Sequence, residues 1–226
     1  MRPLHVAVVG AKSTGKSWLT QAVVSVLHTR GQTAQALDDV VPSWCIRTGR
    51  SPEQHEQVDI AQQQVNAAQL LTVSSPKAWV LLDTSPLMTA VYSDLLFDDK
   101  SLYPMALAHQ ALYDITLVTG LDLPWVTDEL QRDDAQLRIC TDNLVRQALA
   151  DAGMPYRVVY GQGPRRLNNA LLALGLQGED LSAQQTRVNG QFLINQGRSL
   201  WQCNECSDPG CEHKLFTRLV ARRTDG

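Results

Sequence analysis

Eight residues near the start of the chain, Gly10-Ala-Lys-Ser-Thr-Gly-Lys-Ser17, fit the pattern G-x-x-x-x-G-K-[ST] at every fixed position. Glycine at 10 and 15 lets the backbone turn tightly around an anion with no Cβ in the way. The N–H groups running from Gly10 through Ala11, Lys12, Ser13, Thr14 and Gly15 into Lys16, Ser17 and Trp18 are expected to point inward. The helix that follows adds its positive end to theirs. Lys16 can reach β- and γ-phosphate oxygens as a point charge, and the Ser17 hydroxyl can ligate Mg²⁺. The expected ligand is therefore ATP or GTP with Mg²⁺. A glycine-rich turn that carries a lysine by chance is the plainer alternative. An apolar strand before the loop and a helix after it argue against that alternative.

Other residues could complete this chemistry. Trp79-Val-Leu-Leu-Asp83 puts a carboxylate at the end of an apolar strand, where it could face the Mg²⁺; Asp83 could instead cap the turn made with Thr84 and Pro86. Asp38-Asp39 end another short strand. Asp39 could bind an acceptor hydroxyl or take its proton, or the pair could belong to a solvated loop. Arg132 and Arg138 lie after a strand on the same side of the expected sheet. They could fold over a triphosphate as a lid, or be a charged helix start with surface ion pairs.

A second cluster is far from these. Cys203-x₂-Cys206-x₄-Cys211-x-His213 offers three thiolates and an imidazole, the donor set of a closed tetrahedral zinc site. Pro209-Gly210 supplies a turn between the halves, and Zn²⁺ can supply folding energy to so short a segment. An iron–sulfur cluster and free surface thiols are the other readings. Lys214, Arg218, Arg222 and Arg223 follow as a basic tail, either a solvated face or a contact for an anionic partner.

The elements needed to hold the first set are visible in the hydropathy pattern. Residues 4–9 read as a buried strand and 78–82 as a continuous apolar one, 33–37 could be a second strand, 115–119 and 156–160 read as further strands, and 16–29, 52–74, 101–112, 134–151 and 164–174 read as helices. Alternation of this kind implies parallel β-α-β units and an α/β fold of the P-loop NTPase kind. The chain has 226 residues, 44% of them hydrophobic, enough for one full core and a small appendage. The expected division is a nucleotide-binding domain over 1–175, a polar glycine-bearing linker over 176–200, and a cysteine-rich element with its basic tail over 201–226. A net charge of −3 argues against nucleic acid as the partner. No secretory signal and no run of about 18 apolar residues is visible, so the expectation is a cytosolic protein without a membrane partner.

Gly10–Ser17, Leu82-Asp-Thr84, Tyr103–Gln110, Tyr113-Asp-Ile-Thr-Leu-Val118 and Pro124-Trp-Val126 with Asp128 occur in an order and spacing that resembles the NadR-type ribosylnicotinamide kinase domain and the related small AAA-type NTPases. The resemblance covers about residues 4–174. It implies a doubly wound parallel sheet flanked by helices and phosphorylation of a ribose 5′-hydroxyl by ATP and Mg²⁺. It further implies Lys16 and Ser17 at phosphate and metal, Asp83 at the metal or the acceptor hydroxyl, and Arg132 and Arg138 in the lid. Where such relatives carry a Glu-Tyr-x-Arg-like segment, this chain reads Asp39-Val-Val-Pro-Ser-Trp44. Two functions follow as expectations: a kinase of a small nucleoside-like metabolite, or a nucleotide-binding regulatory NTPase that controls a protein partner, with the zinc element as a possible contact.

Overall fold

A computed structural model describes residues 3–123 and 132–178, with backbone alone for 132–135. Five strands form one sheet: β1 (His5–Val9), β2 (Ala34–Leu37), β3 (Trp79–Asp83), β4 (Ile115–Thr119) and β5 (Arg157–Val159). Their order is β2-β3-β1-β4-β5, and every neighbouring pair is parallel. The strands are short and rich in Val, Leu and Ile because a parallel sheet is covered on both faces.

The period of two along β1 sorts its side chains. Val6 and Val8 meet Leu19, Val23 and Leu27 of α1 (Lys16–Thr29) and Leu167 and Leu171 of α7 (Gly163–Ala173). Ala7 and Val9 meet Leu87 and Val91 of α4 (Pro86–Phe97) and Val145 and Leu149 of α6 (Arg132–Asp151). On that second face α3 (Gln57–Ser74) brings Ala68 against Val80 and Leu82, and α5 (Tyr103–Gln110) packs Ala106 against Ala90 of α4. The sheet is thus doubly wound, as expected.

Two helices are additions to the sequence reading. α2 (Val40–Thr48) starts at Asp39, whose carboxylate accepts from the Val41 N–H at 2.9 Å, and ends at Gly49 with φ 68°. Pro42 sits in the first turn, where its missing N–H costs nothing. α4 hides from periodicity because every residue from Pro86 to Val91 is buried. It is apolar all round rather than amphipathic. The long helix expected over 52–74 begins as a 3₁₀ turn, Gln54–Glu56, before α3.

Strand order fixes where a ligand can enter. The chain leaves β1 over one face through α1 and leaves β4 over the other through α6. Their carboxyl ends therefore part and open a crevice between them, the usual ligand position in open α/β sheets. β3 flanks β1 on the other side, with Asp83 opposite Val8.

Candidate phosphate-binding site

The loop between β1 and α1 lies at that crevice, and its backbone departs from ordinary angles at three places. Gly10 has φ 143°, Ser13 φ 56° and Gly15 φ 75°. Two of the three are glycine, which takes these angles without steric cost. At Gly10 space is a second constraint, because a Cβ there would lie 2.2 Å from Thr119 Oγ1 and 3.2 Å from the Thr119 backbone.

Side chains hold the loop from within. The Thr14 hydroxyl, fully buried, donates to the Ala11 carbonyl at 2.7 Å and lies 2.6 Å from the Thr119 hydroxyl. Thr119 donates in turn to the Val9 carbonyl at 3.3 Å, tying the loop to the ends of β1 and β4. The Lys16 ammonium folds over the loop onto the Ala11 carbonyl, 3.1 Å away. A carbonyl is a weak partner for an ammonium, and a phosphate oxygen would replace it readily. Ser17 is exposed at the start of α1, and Trp18 beside it is 42% exposed.

Beneath the loop lies a residue absent from the sequence reading. Arg166, in the first turn of α7, is 1% exposed. Its Nη2 donates to the Thr14 carbonyl at 2.8 Å and the Gly120 carbonyl at 3.3 Å, and its Nη1 to the Gly161 carbonyl at 2.8 Å and Asp122 Oδ1 at 3.1 Å. Asp122 also accepts from the Gly161 N–H. A signal existed: Arg165 and Arg166 open a helix with no acidic residue in its first turn, the wrong charge for that end of the dipole. Arginine is kept there by bonds elsewhere.

Asp83 stands at the end of β3, 5% exposed, so its carboxylate and the phosphate loop share one end of the sheet. The next residue, Thr84, has φ 84°, unusual for a β-branched side chain, while its N–H bonds the Val8 carbonyl at 3.0 Å. Ser85 then bonds Gln110 Oε1 at 2.7 Å, and the Gln110 amide bonds Thr116 Oγ1 at 2.8 Å. This buried chain fixes the β3 turn against α5 and β4.

The remaining candidates differ in position. Asp39 caps α2 at the end of β2, so one of its oxygens is engaged by backbone. Arg138 is buried on α6, where burial and then the nearby charge of Arg166 push its guanidinium below the ordinary value. Arg132 is the first residue of α6, and its side chain lies outside the described residues. Cys203, Cys206, Cys211 and His213 also lie outside them. Among the described residues no cluster of His, Cys, Asp and Glu could hold a metal by itself, and no helix is long and apolar enough to cross a membrane. A cavity of about 340 Å³ lined by Gln54, His55, Val58, Asp99, Ser101 and Leu102 lies toward the other end of α4 and belongs to no part of this site.

Comparison with known proteins agrees with the fold. Two solved structures of NadR protein superpose with a TM-score of 0.60. One, in complex with NR, is 20% identical, covering 79% of this chain and 53% of its own. The other, in complex with NAD and AMP-PNP, is 21% identical, covering 79% of this chain and 51% of its own. The chain thus spans about half the length of each. No curated protein sequence matches it. The family model described as AAA domain matches residues 5–166, and the chain belongs to that family.

Proposed function

We propose that this protein transfers the γ-phosphoryl group of ATP, with Mg²⁺, to a hydroxyl of a small nucleoside-like metabolite, as a ribosylnicotinamide kinase does. The observation that carries the reading is the phosphate loop itself. Its left-handed turns at Gly10, Ser13 and Gly15 are braced from below and open at the crevice between β1 and β4. NadR structures with the same fold hold NR in one case, and NAD and AMP-PNP in another.

In this reading the backbone from Gly10 to Trp18 lines the phosphates, and Lys16 leaves the Ala11 carbonyl for their oxygens. Ser17 and Asp83 would hold Mg²⁺. They fit it as oxygen donors suited to a hard cation, with no thiolate or imidazole competing in the pair. Bound there, Mg²⁺ would supply positive charge against the β- and γ-phosphates. Arg138 would meet the same charge from its buried place on α6 beside Arg166, with Arg132 as the lid residue. The acceptor oxygen forms its bond to the γ-phosphorus as the bond to the β–γ bridging oxygen breaks. The hydroxyl proton passes to Asp39, Asp83 or water.

One observation favours a second reading, a nucleotide-binding regulatory NTPase. The acceptor-side segment is folded into α2, and Asp39 caps that helix. Under either reading we propose the domain division at 175 and 200 and zinc on Cys203, Cys206, Cys211 and His213; use of the zinc element as a contact for a protein partner belongs to the second.

The test is ADP release from Mg-ATP against a panel of nucleosides, with wild type and Lys16→Ala side by side. Stimulation by one nucleoside, abolished in Lys16→Ala, supports the kinase and names its acceptor. ATP binding with no response to any nucleoside sinks the kinase reading for that panel and favours the regulatory one.

A further inference from the structure

We infer that Arg166 is a positioning residue that sets the anion-binding face of the phosphate loop by holding one carbonyl away from it. The inference rests on the phosphate-site reading and adds a residue to it.

The argument starts from the peptide plane. A trans peptide points its C=O and its N–H in opposite directions, and the described chain has no cis peptide bond. Arg166 Nη2 holds the Thr14 carbonyl at 2.8 Å from beneath the loop. The N–H of the same peptide belongs to Gly15, so it must point away from Arg166, toward the side on which an anion would lie. Gly15, at φ 75°, has the freedom to turn that plane the other way. Without the guanidinium nothing so rigid opposes the flip. The Ala11 carbonyl is held likewise by the Thr14 hydroxyl, which directs the Lys12 N–H oppositely. The Ala11 peptide thus has a support within the loop that remains when Lys16 moves to phosphate, whereas the Thr14 peptide is supported from 152 residues away.

The shape of the donor matters as much as its charge. One planar fork meets four acceptors: Thr14 in the loop, Gly120 and Asp122 beyond β4, and Gly161 beyond β5. A lysine ammonium carries the same charge on a single nitrogen and cannot span them. The residue is locked from outside as well. Asp122 engages both Nη1 and the Gly161 N–H, and glycine at 161 leaves room for the backbone of Arg166, since a Cβ there would sit 3.2 Å from the Arg166 backbone nitrogen. The loop's geometry is thereby coupled to the segment that leaves β4 at the mouth of the crevice.

Isothermal titration of the full chain with ATP and with inorganic triphosphate, alongside thermal unfolding, tests the inference. Wild type is expected to bind both. Arg166→Lys is expected to lose about tenfold or more in affinity for both, the worth of one charge-assisted hydrogen bond. Asp122→Asn, which leaves Arg166 in place but loosens it, is expected to lose about two- to fivefold. Arg166→Met should weaken triphosphate at least as much as Arg166→Lys; if it does not fold, the other two decide. Arg166→Lys binding triphosphate as wild type does, while remaining folded, overturns the inference, since charge alone would then suffice. Wild type that binds neither ligand overturns the phosphate-site reading and the inference with it.

Discussion

The closest approach that a side chain at Gly10 would meet gives the candidate site a quantitative test. Gly10→Ala places a methyl 2.2 Å from Thr119 Oγ1 and 3.2 Å from the Thr119 backbone nitrogen and oxygen. Two costs add. A non-glycine residue at φ 143° is strained by about 1–3 kcal/mol. Overpacking against a fixed strand end costs about 1–3 kcal/mol more. The substitution should therefore destabilise the fold by roughly 2–6 kcal/mol, a fall of about 5–20 °C in Tm for a chain of this size. Thr119→Ala removes the Oγ1 clash but also the bonds to Thr14 and Val9, costing about 1–3 kcal/mol alone. In the double variant the methyl loses its worst neighbour while the backbone contacts at 3.2 Å and the strained φ remain. It should accordingly be more stable than the sum of the singles predicts, by about 1–2 kcal/mol, yet well below Thr119→Ala. Urea unfolding of the four proteins measures this cycle. Additivity within about 0.5 kcal/mol would refute the claim that Gly10 is required by the approach of Thr119.

Three further outcomes can be checked. Asp39→Ala should cost about 1 kcal/mol through the lost cap of α2, whereas Asp39→Asn should keep the cap; phosphoryl transfer lost in the folded Asn variant would assign the carboxylate to the acceptor, and transfer retained would leave it a cap. Thr84→Gly relieves left-handed strain of about 1–3 kcal/mol but removes a side chain that is 6% exposed and adds freedom to the unfolded chain, so it should cost at least about 1 kcal/mol less than Thr84→Ala, which keeps the strain; equal losses in urea unfolding would mean the turn is not strained. Burial pushes the His109 imidazole below its ordinary value. The unfolded chain takes up that proton near pH 6.5 and the folded chain only at lower pH, so stability should fall as pH drops below about 6.5 and be unaffected above it. Unfolding of wild type and His109→Gln between pH 5 and 8 should show a shallower acid slope in the variant; identical slopes would refute the assignment.

How much of this could be read in the sequence depended on whether the signal was local. The phosphate loop was legible because its chemistry dictates residue types at consecutive positions. β1, β3 and β4 were legible because burial on both faces makes them nearly continuous apolar runs, whereas the edge strands β2, with Gln35, and β5, with the exposed Arg157, carry a weaker signal. α4 was not, since a helix apolar on every side has no periodicity to detect, and α2 was masked by Pro42 and two valines. Asp83 could be assigned to a strand end, but its place beside Val8 follows from strand order, which no local pattern contains. Arg166 and Thr119 were missed for the same reason. Their partners are remote in sequence, and only the mismatch between two arginines and a helix N-terminus hinted that one had a task.

The brace under the loop also says when the site can exist. The eight residues that carry the motif come early in the chain, yet Thr119 and Arg166, which hold their shape, come 105 and 152 residues after Thr14. During synthesis from the N-terminus the motif therefore emerges long before it can function. Contacts of such sequence separation form late and slowly, because long loops must close first. On the inference made for Arg166, a nascent chain ending before α7 lacks the support for the Thr14 peptide, so a nucleotide would act as a folding ligand only once β5 and α7 have joined the sheet. The competence to grip a phosphate is then a sign that the whole domain has closed.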